Sequence, residues 1–302
     1  MRHFLKFFYD ALREDLGVHP CSLERLLEER PDACYQLANP ARSIAAECVV
    51  RWDELGAAPF GTWPHRPRGS LKGWRRSGKY DFESFDIHRP EYDRLGKLET
   101  IDVWTCDIQE IDGFSSSKSK LCEFISTDEM VEQNSREMID EITRAKLEKN
   151  LAHREIRILH GETTSDHFAR FAWDGRLFLM NSGGSHHLAA AKYIAARLGV
   201  PVPMSAKLRT YSLDAGAVKS LRRDFEMFVL SDEPHISSTF SKAMRSFHAS
   251  WLWHHLPRPY DRDARVVLFP REDKRSMRVC SLMRQAGAFD FGEHLEKLAL
   301  AA

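Results

Sequence analysis

The chain has 302 residues, 43% of them hydrophobic, which is enough for a packed core and excludes disorder along the whole chain. Lys and Arg number 44 and so do Asp and Glu, so no global charge draws the chain to nucleic acid or an acidic membrane, and any polyanion contact has to be a local patch. Six cysteines at 21, 34, 48, 106, 122 and 280 form no C-x-x-C pair, so zinc ribbons and redox dithiols find no support and reduced thiols in a cytoplasmic protein are expected.

In MRHFLKFFYDALRED the residues Arg2, Lys6, Asp10 and Arg13 break the apolar run, so no signal peptide is expected, and no stretch approaches ~18 apolar residues, so no membrane span or membrane partner is expected. Phe4, Leu5, Phe8, Ala11, Leu12 and Leu16 fall at helical spacing and predict a helix over 2–16. A second helix is predicted over 22–30, with Ser22 as its cap and Pro31 behind it. Asn39 and Pro40 read as cap and first helical residue of a third helix reaching Val50. Residues 56–80 hold five glycines and three prolines and read as an irregular arm. No acidic residue occurs between Leu55 and Tyr80, whereas Arg66, Arg68, Lys72, Arg75, Arg76 and Lys79 do, interleaved with Trp63, Trp74 and Tyr80.

From about Lys97 the pattern turns to α/β. LETIDVWTCDIQEI favours a strand, 127–148 an amphipathic surface helix, and REIRILH at 154–160 a second strand. FARFAW, Asp174-Gly175 and RLFLMN predict a hairpin with a type I′ turn. GGSHHLAAAKYIAARLG then reads as turn, helix and a stop at Gly199. PMSAKLRTYSL predicts a strand, a helix follows near 214–224, then a strand FEMFVLS, a helix near 238–255, a strand ARVVLFPR and one or two closing helices. The expected fold is mixed α+β in three parts: a helical region 1–96 with the arm, a core 97–212, and an α/β region 213–302.

The segment Leu177–Leu198 carries the most chemical information. A strand delivers the chain to Asn181-Ser182-Gly183-Gly184, where glycine permits positive φ and close approach of a ligand. Ser185 is placed to cap the next helix, whose free first-turn N–H groups and dipole form an anion site. His186 and His187 open that helix, where a protonated imidazole opposes the dipole by roughly 0.3–1 kcal/mol. A phosphate over the turn removes that conflict, so an anionic ligand at Gly183–His187 is expected. Adjacent helical residues point about 100° apart, so the two histidines are not expected to chelate one metal.

The string DGRLFLMNSGGSHHLAAAK (174–192), set between flanking strands, resembles the ParB/sulfiredoxin superfamily over about residues 98–212. Members share a strand and a G-x-H-R or G-x-R-R turn before an Ala-rich helix. The resemblance implies a bacterial nucleotide-binding protein whose Gly184, Ser185, His186 and His187 hold the phosphates of an NTP, with Mg²⁺. Ser185 stands where sulfiredoxins carry the catalytic cysteine, so sulfinic acid reduction is not expected, and His187 stands where Arg is usual. The arginine-bearing stretch of ParB proteins is replaced by EIDGFSSSKSK, with Lys118 and Lys120 as the nearest cations. Some members are small-molecule kinases with a carboxylate base near the first strand, a place held here by Glu110 and Asp112.

These expectations combine into a nucleotide- or phosphate-binding protein, as an NTP hydrolase, phosphotransferase or nuclease, with Glu110, Asp112 and His186 as catalytic candidates. The alternative is a non-enzymatic module associated with DNA or with another protein. It would contact DNA or RNA through Arg66, Arg68, Lys72, Arg75 and Arg76, whose cations neutralise phosphates while aromatic neighbours stack on bases. FHASWLWHHL (247–256) is read as core, and a serine hydrolase lacks its G-x-S-x-G elbow.

Overall fold

The computed structural model describes residues 2–56, 68–78, 81–161 and 164–300, with side chains from residue 8 onward. In chain order the elements are α1 (Arg2–Asp15), α2 (Cys21–Glu29), β1 (Ser70–Ser77), β2 (Asp81–His88), α3 (Pro90–Asp93), β3 (Gly96–Asp107) and β4 (Ile111–Phe114). Then come α4 (Thr127–Asn134), α5 (Arg144–Leu151), α6 (Arg157–His160), β5 (His167–Phe171), β6 (Leu177–Met180), α7 (Ser185–Leu198) and β7 (Pro203–Leu213). The chain closes with α8 (Ala215–Asp224), β8 (Phe225–Ser231), α9 (Pro234–Phe247), β9 (Trp251–His255), β10 (Ala264–Pro270), α10 (Lys274–Gln285) and α11 (Phe291–Leu300). The fold is mixed α+β.

Two compact units divide the chain. One joins 1–39, 51–96 and 213–302, and the other joins 40–50 with 97–212. The first and last thirds, expected as separate regions, therefore fold together. Strand pairing is the reason: β1 lies antiparallel to β9, with Trp74 opposite Trp251, in a sheet of order β2-β1-β9-β10-β8. The two indoles stack at 5.4 Å, and Phe228, Phe240, Phe247 and Phe269 fill the core on which α2 and α9 pack.

The second unit has the sheet order β3-β7-β5-β6-β4. β5 and β6 form an antiparallel hairpin, while β4 runs parallel to β6 and β7 parallel to β5. α7 buries Leu188, Ala189, Ala190, Ala191, Ile194 and Ala195 in one core with Phe168, Leu177 and Leu179 of the sheet. The run of alanines lets that helix lie close, and burying Leu188 and Ile194 contributes about 1.5–3 kcal/mol each. α4 and α5 also pack on α7.

Several local expectations are corrected. Residues 40–50 form no α-helix; Ile44 instead pairs its backbone with Phe114 and Phe124, and only Ala46–Cys48 makes a 3-10 turn. Within the described part of 56–80, Ser70–Ser77 is a strand of a hairpin with β2 and not an irregular arm, its alternate residues Leu71 and Gly73 being buried. Arg66, with Trp63, Lys79 and Tyr80, lies outside the described residues. The helix expected over 127–148 is broken into α4 and α5, and the strand expected at 154–160 is the short helix α6. In the β5–β6 turn Gly175 has φ +79° and Asp174 does not have positive φ, so the connection is not type I′. Finally 238–255 is α9 followed by β9, divided where His248 takes the left-handed conformation at φ 55°.

Candidate anion site at the start of the Ala-rich helix

Gly184, not Ser185, is the residue that caps α7. It sits at φ 75° and ψ 8° and offers no side-chain cap. A Cβ there would stand 2.7 Å from the backbone of Glu155, so the close approach as well as the backbone angle requires glycine. The first helical bond is Leu188 N–H to Gly184 O at 2.9 Å. The amides of Ser185, His186 and His187 precede that bond and find no acceptor among the described residues. A helix of 14 residues stands behind them, so its dipole adds to their partial positive charge.

These residues line a cavity of about 550 Å³ together with the loop Ser116–Ser119, the end of α4, and Glu137, Glu155, Arg157 and Ser182. Asn181, 5% exposed, ties its two walls together. Its Oδ1 accepts from the N–H groups of Ser115 and Ser116, both at 3.2 Å. Its Nδ2 donates to Ser116 O at 3.0 Å and Gly183 O at 2.9 Å. One amide side chain thus sets the serine loop against the glycine turn.

The histidines have been given other work than the sequence suggested. His186 lines the cavity, but its Nε2 bonds Ser119 Oγ at 3.1 Å and its Nδ1 bonds Ser135 Oγ. Ser119 Oγ also accepts from Asn134 Nδ2 at 2.8 Å, which leaves its own proton for the imidazole. A neutral ring satisfies both ends, and burial, with Lys118 nearby, holds the His186 pKa below its ordinary value. His186 therefore braces α4 and the serine loop against α7, and its ring nitrogens are already engaged.

His187 bonds Asn150 Oδ1 through Nδ1 at 3.1 Å, and its ring stacks on His153 with centroids 3.6 Å apart. Its pKa is lowered by burial and then by that neighbour. His187 also borders a second cavity of about 590 Å³, which shares Glu137 and Met138 with the first.

Positive charge at the cradle comes from residues on two segments. Lys118 was noted in the serine loop, and it lines the cavity with no partner among the described residues. Arg157 was hidden in a segment read as a strand; α6 places its Nη1 3.0 Å from Ser182 Oγ. Lys120 instead pairs with Glu123 at 3.3 Å.

Glu110 and Asp112 are not part of this constellation. Glu110 Oε1 caps the turn after β3 by accepting Asp107 N–H at 2.9 Å. Asp112 Oδ2 accepts Leu177 N–H at 2.8 Å, where β4 and β6 begin. The turn lies at the other end of β6, roughly 13 Å of strand away at about 3.3 Å per residue. Neither carboxylate lines the cavity, so neither is placed as a base for a ligand there.

The cations of the β1 segment have local partners. Arg68 pairs with Asp93 at 3.0 Å and Arg75 with Glu83 at 2.9 Å. Arg76 bonds Gly78 O and His248, and Lys72 sits 5.5 Å over the Trp74 ring. Trp74 is stacked on Trp251. No group of three or more His, Cys, Asp and Glu able to hold a metal occurs among the described residues. No helix among them is long and apolar enough to cross a membrane. All six cysteines are free.

A family model described as a family of unknown function (DUF6685) matches residues 101–302. No curated protein and no solved structure matches the chain.

Proposed function

The chain belongs to the DUF6685 family, and from that premise we propose that its second unit binds the phosphates of a nucleotide at Gly183–His187. Within this reading the strand, Gly-Gly turn and Ala-rich helix are ParB/sulfiredoxin-like, and the activity is that of a phosphotransferase or nucleotide hydrolase. One observation carries it: three successive amides without an acceptor among the described residues face a cavity of about 550 Å³ that also holds Lys118, Arg157 and serine hydroxyls. A helix start favours an anion through its amides and dipole together, and two cations add charge-assisted bonds of about 1.5–3 kcal/mol each. The donors are the backbone N–H groups, Lys118 and Arg157; the two imidazoles shape the walls. Mg²⁺ carried with the phosphates would find Glu137 and Glu155 on the same walls, in keeping with its preference for one or two carboxylates plus phosphate oxygens.

A thermal-shift panel of ATP, CTP, GTP and UTP, each with Mg²⁺, tests the reading. At least one is expected to raise the melting temperature, and Lys118→Ala or Arg157→Ala is expected to weaken its binding about tenfold or more each. No rise with any of the four refutes the reading.

A further inference from the structure

We propose that Ser182 is a nucleophile, with Asp166 as its general base, that accepts a phosphoryl group from a nucleoside triphosphate held at the α7 amides; this rests on the phosphate-binding reading above. Asp166 is 5% exposed and has no ion pair among the described residues. Its Oδ1 accepts both the Ser182 N–H at 3.1 Å and the Ser182 Oγ–H at 2.8 Å. Its Oδ2 is buried and has no hydrogen-bond partner among the described residues. Burying a carboxylate with half its acceptors unused is costly.

Ser182 itself is exposed and lines the cavity, immediately before Gly183 and Gly184. Its hydroxyl therefore links a hidden base to the space where a phosphate would rest. The Arg157 guanidinium lies 3.0 Å from the same Oγ. A cation there favours the oxygen as its proton departs, which is how a weak hydroxyl nucleophile is activated. The base already lies within hydrogen-bond reach of the proton it would take. The uncapped amides of Ser185, His186 and His187 are placed to hold negative charge on the transferring group.

The step balances without an oxidant or reductant. The Ser182 Oγ–P bond forms as the bond from the terminal phosphorus to the bridging oxygen breaks. The Oγ proton passes to Asp166, and the nucleoside diphosphate leaves with the electron pair and its Mg²⁺. The product is a phosphoserine beside Arg157.

The test is intact mass and peptide mapping of the full chain after incubation with each of the four Mg²⁺-nucleoside triphosphates, with the thermal-shift panel run on the same samples. The expected result is one phosphoryl group on Ser182, lost in Ser182→Ala and retained at a lower rate in Ser182→Thr. Asp166→Asn, which keeps an oxygen acceptor for Ser182, should slow labelling at least 100-fold while the protein melts cooperatively. Unchanged labelling in Asp166→Asn, or a label on Ser119, Ser135 or any other residue, overturns the assignment. A thermal shift with no mass increase overturns this inference alone, whereas absence of both overturns the binding reading as well.

Discussion

The Asn181 side chain makes four hydrogen bonds from a buried position and joins the serine loop to the glycine turn. Asn181→Ala leaves their backbone partners unpaired, so a loss of about 1–3 kcal/mol is expected in urea unfolding, together with any nucleotide-dependent thermal shift. His294 offers a pH-dependent counterpart in the other unit. Its ring packs edge-on against Trp52 at 5.1 Å, its Nε2 is buried without a partner among the described residues, and burial pushes its pKa down to about 4. The folded protein keeps this imidazole neutral while the unfolded chain protonates it near 6.5. Its contribution is therefore whole above about pH 6.5 and is lost as pH falls toward 4, a change of about 2–3 kcal/mol. His294→Phe should flatten that acid limb, measured as denaturant midpoints between pH 4 and 7; an unaltered slope would show that this imidazole does not set it. At the residue scale the glycine turn was legible because few residues tolerate positive φ. The roles of the histidines were not, since the two hydroxyl partners of His186 lie 51 and 67 residues away in the sequence and the Asn150 partner of His187 lies 37 residues away.

Among the elements, those bounded by strong local signals were readable. α7 ends at Gly199 with φ 64°, and the β5–β6 hairpin forms around Asp174-Gly175. The failures share a cause, namely tertiary demands that local periodicity does not encode. α4 stops at Asn134, and Ser135 behind it accepts from His186 Nδ1 through its hydroxyl, so no single helix spans 127–148. Within 40–50, Ile44 gives its backbone to Phe114 and Phe124. The alternation in 154–160 mimics a strand, yet the segment turns helical and presents Arg157 to the cavity. The hairpin of β1 and β2 was missed because the glycines and prolines of 56–69 obscured the alternation that follows. In it Trp74 is sandwiched with Trp251 and Trp253 at 5.4 and 6.5 Å. Trp74→Ala should cost about 2–4 kcal/mol, from lost burial plus lost stacking. A change under 0.5 kcal/mol in chemical denaturation would contradict that packing role.

At the scale of the whole molecule, the second unit is assembled from two separated stretches, 40–50 and 97–212. Ile44, 1% exposed, belongs to its core, donates its N–H to Phe124 O at 3.0 Å and accepts from Phe114 N–H at 2.8 Å. A fragment of 97–212 alone should therefore be less stable than one carrying 40–50 through a flexible linker, by about 2–4 kcal/mol for the lost isoleucine burial and hydrogen bonds. Equal circular-dichroism melting curves for the two fragments would contradict this. Composition alone indicated a packed α+β protein, but a boundary that doubles back along the chain leaves no compositional mark. The covalent path crosses between the units four times, after residues 39, 50, 96 and 212. A protease that nicks any one of these junctions leaves the halves still tethered by the other three, so their separation demands that every strap be severed.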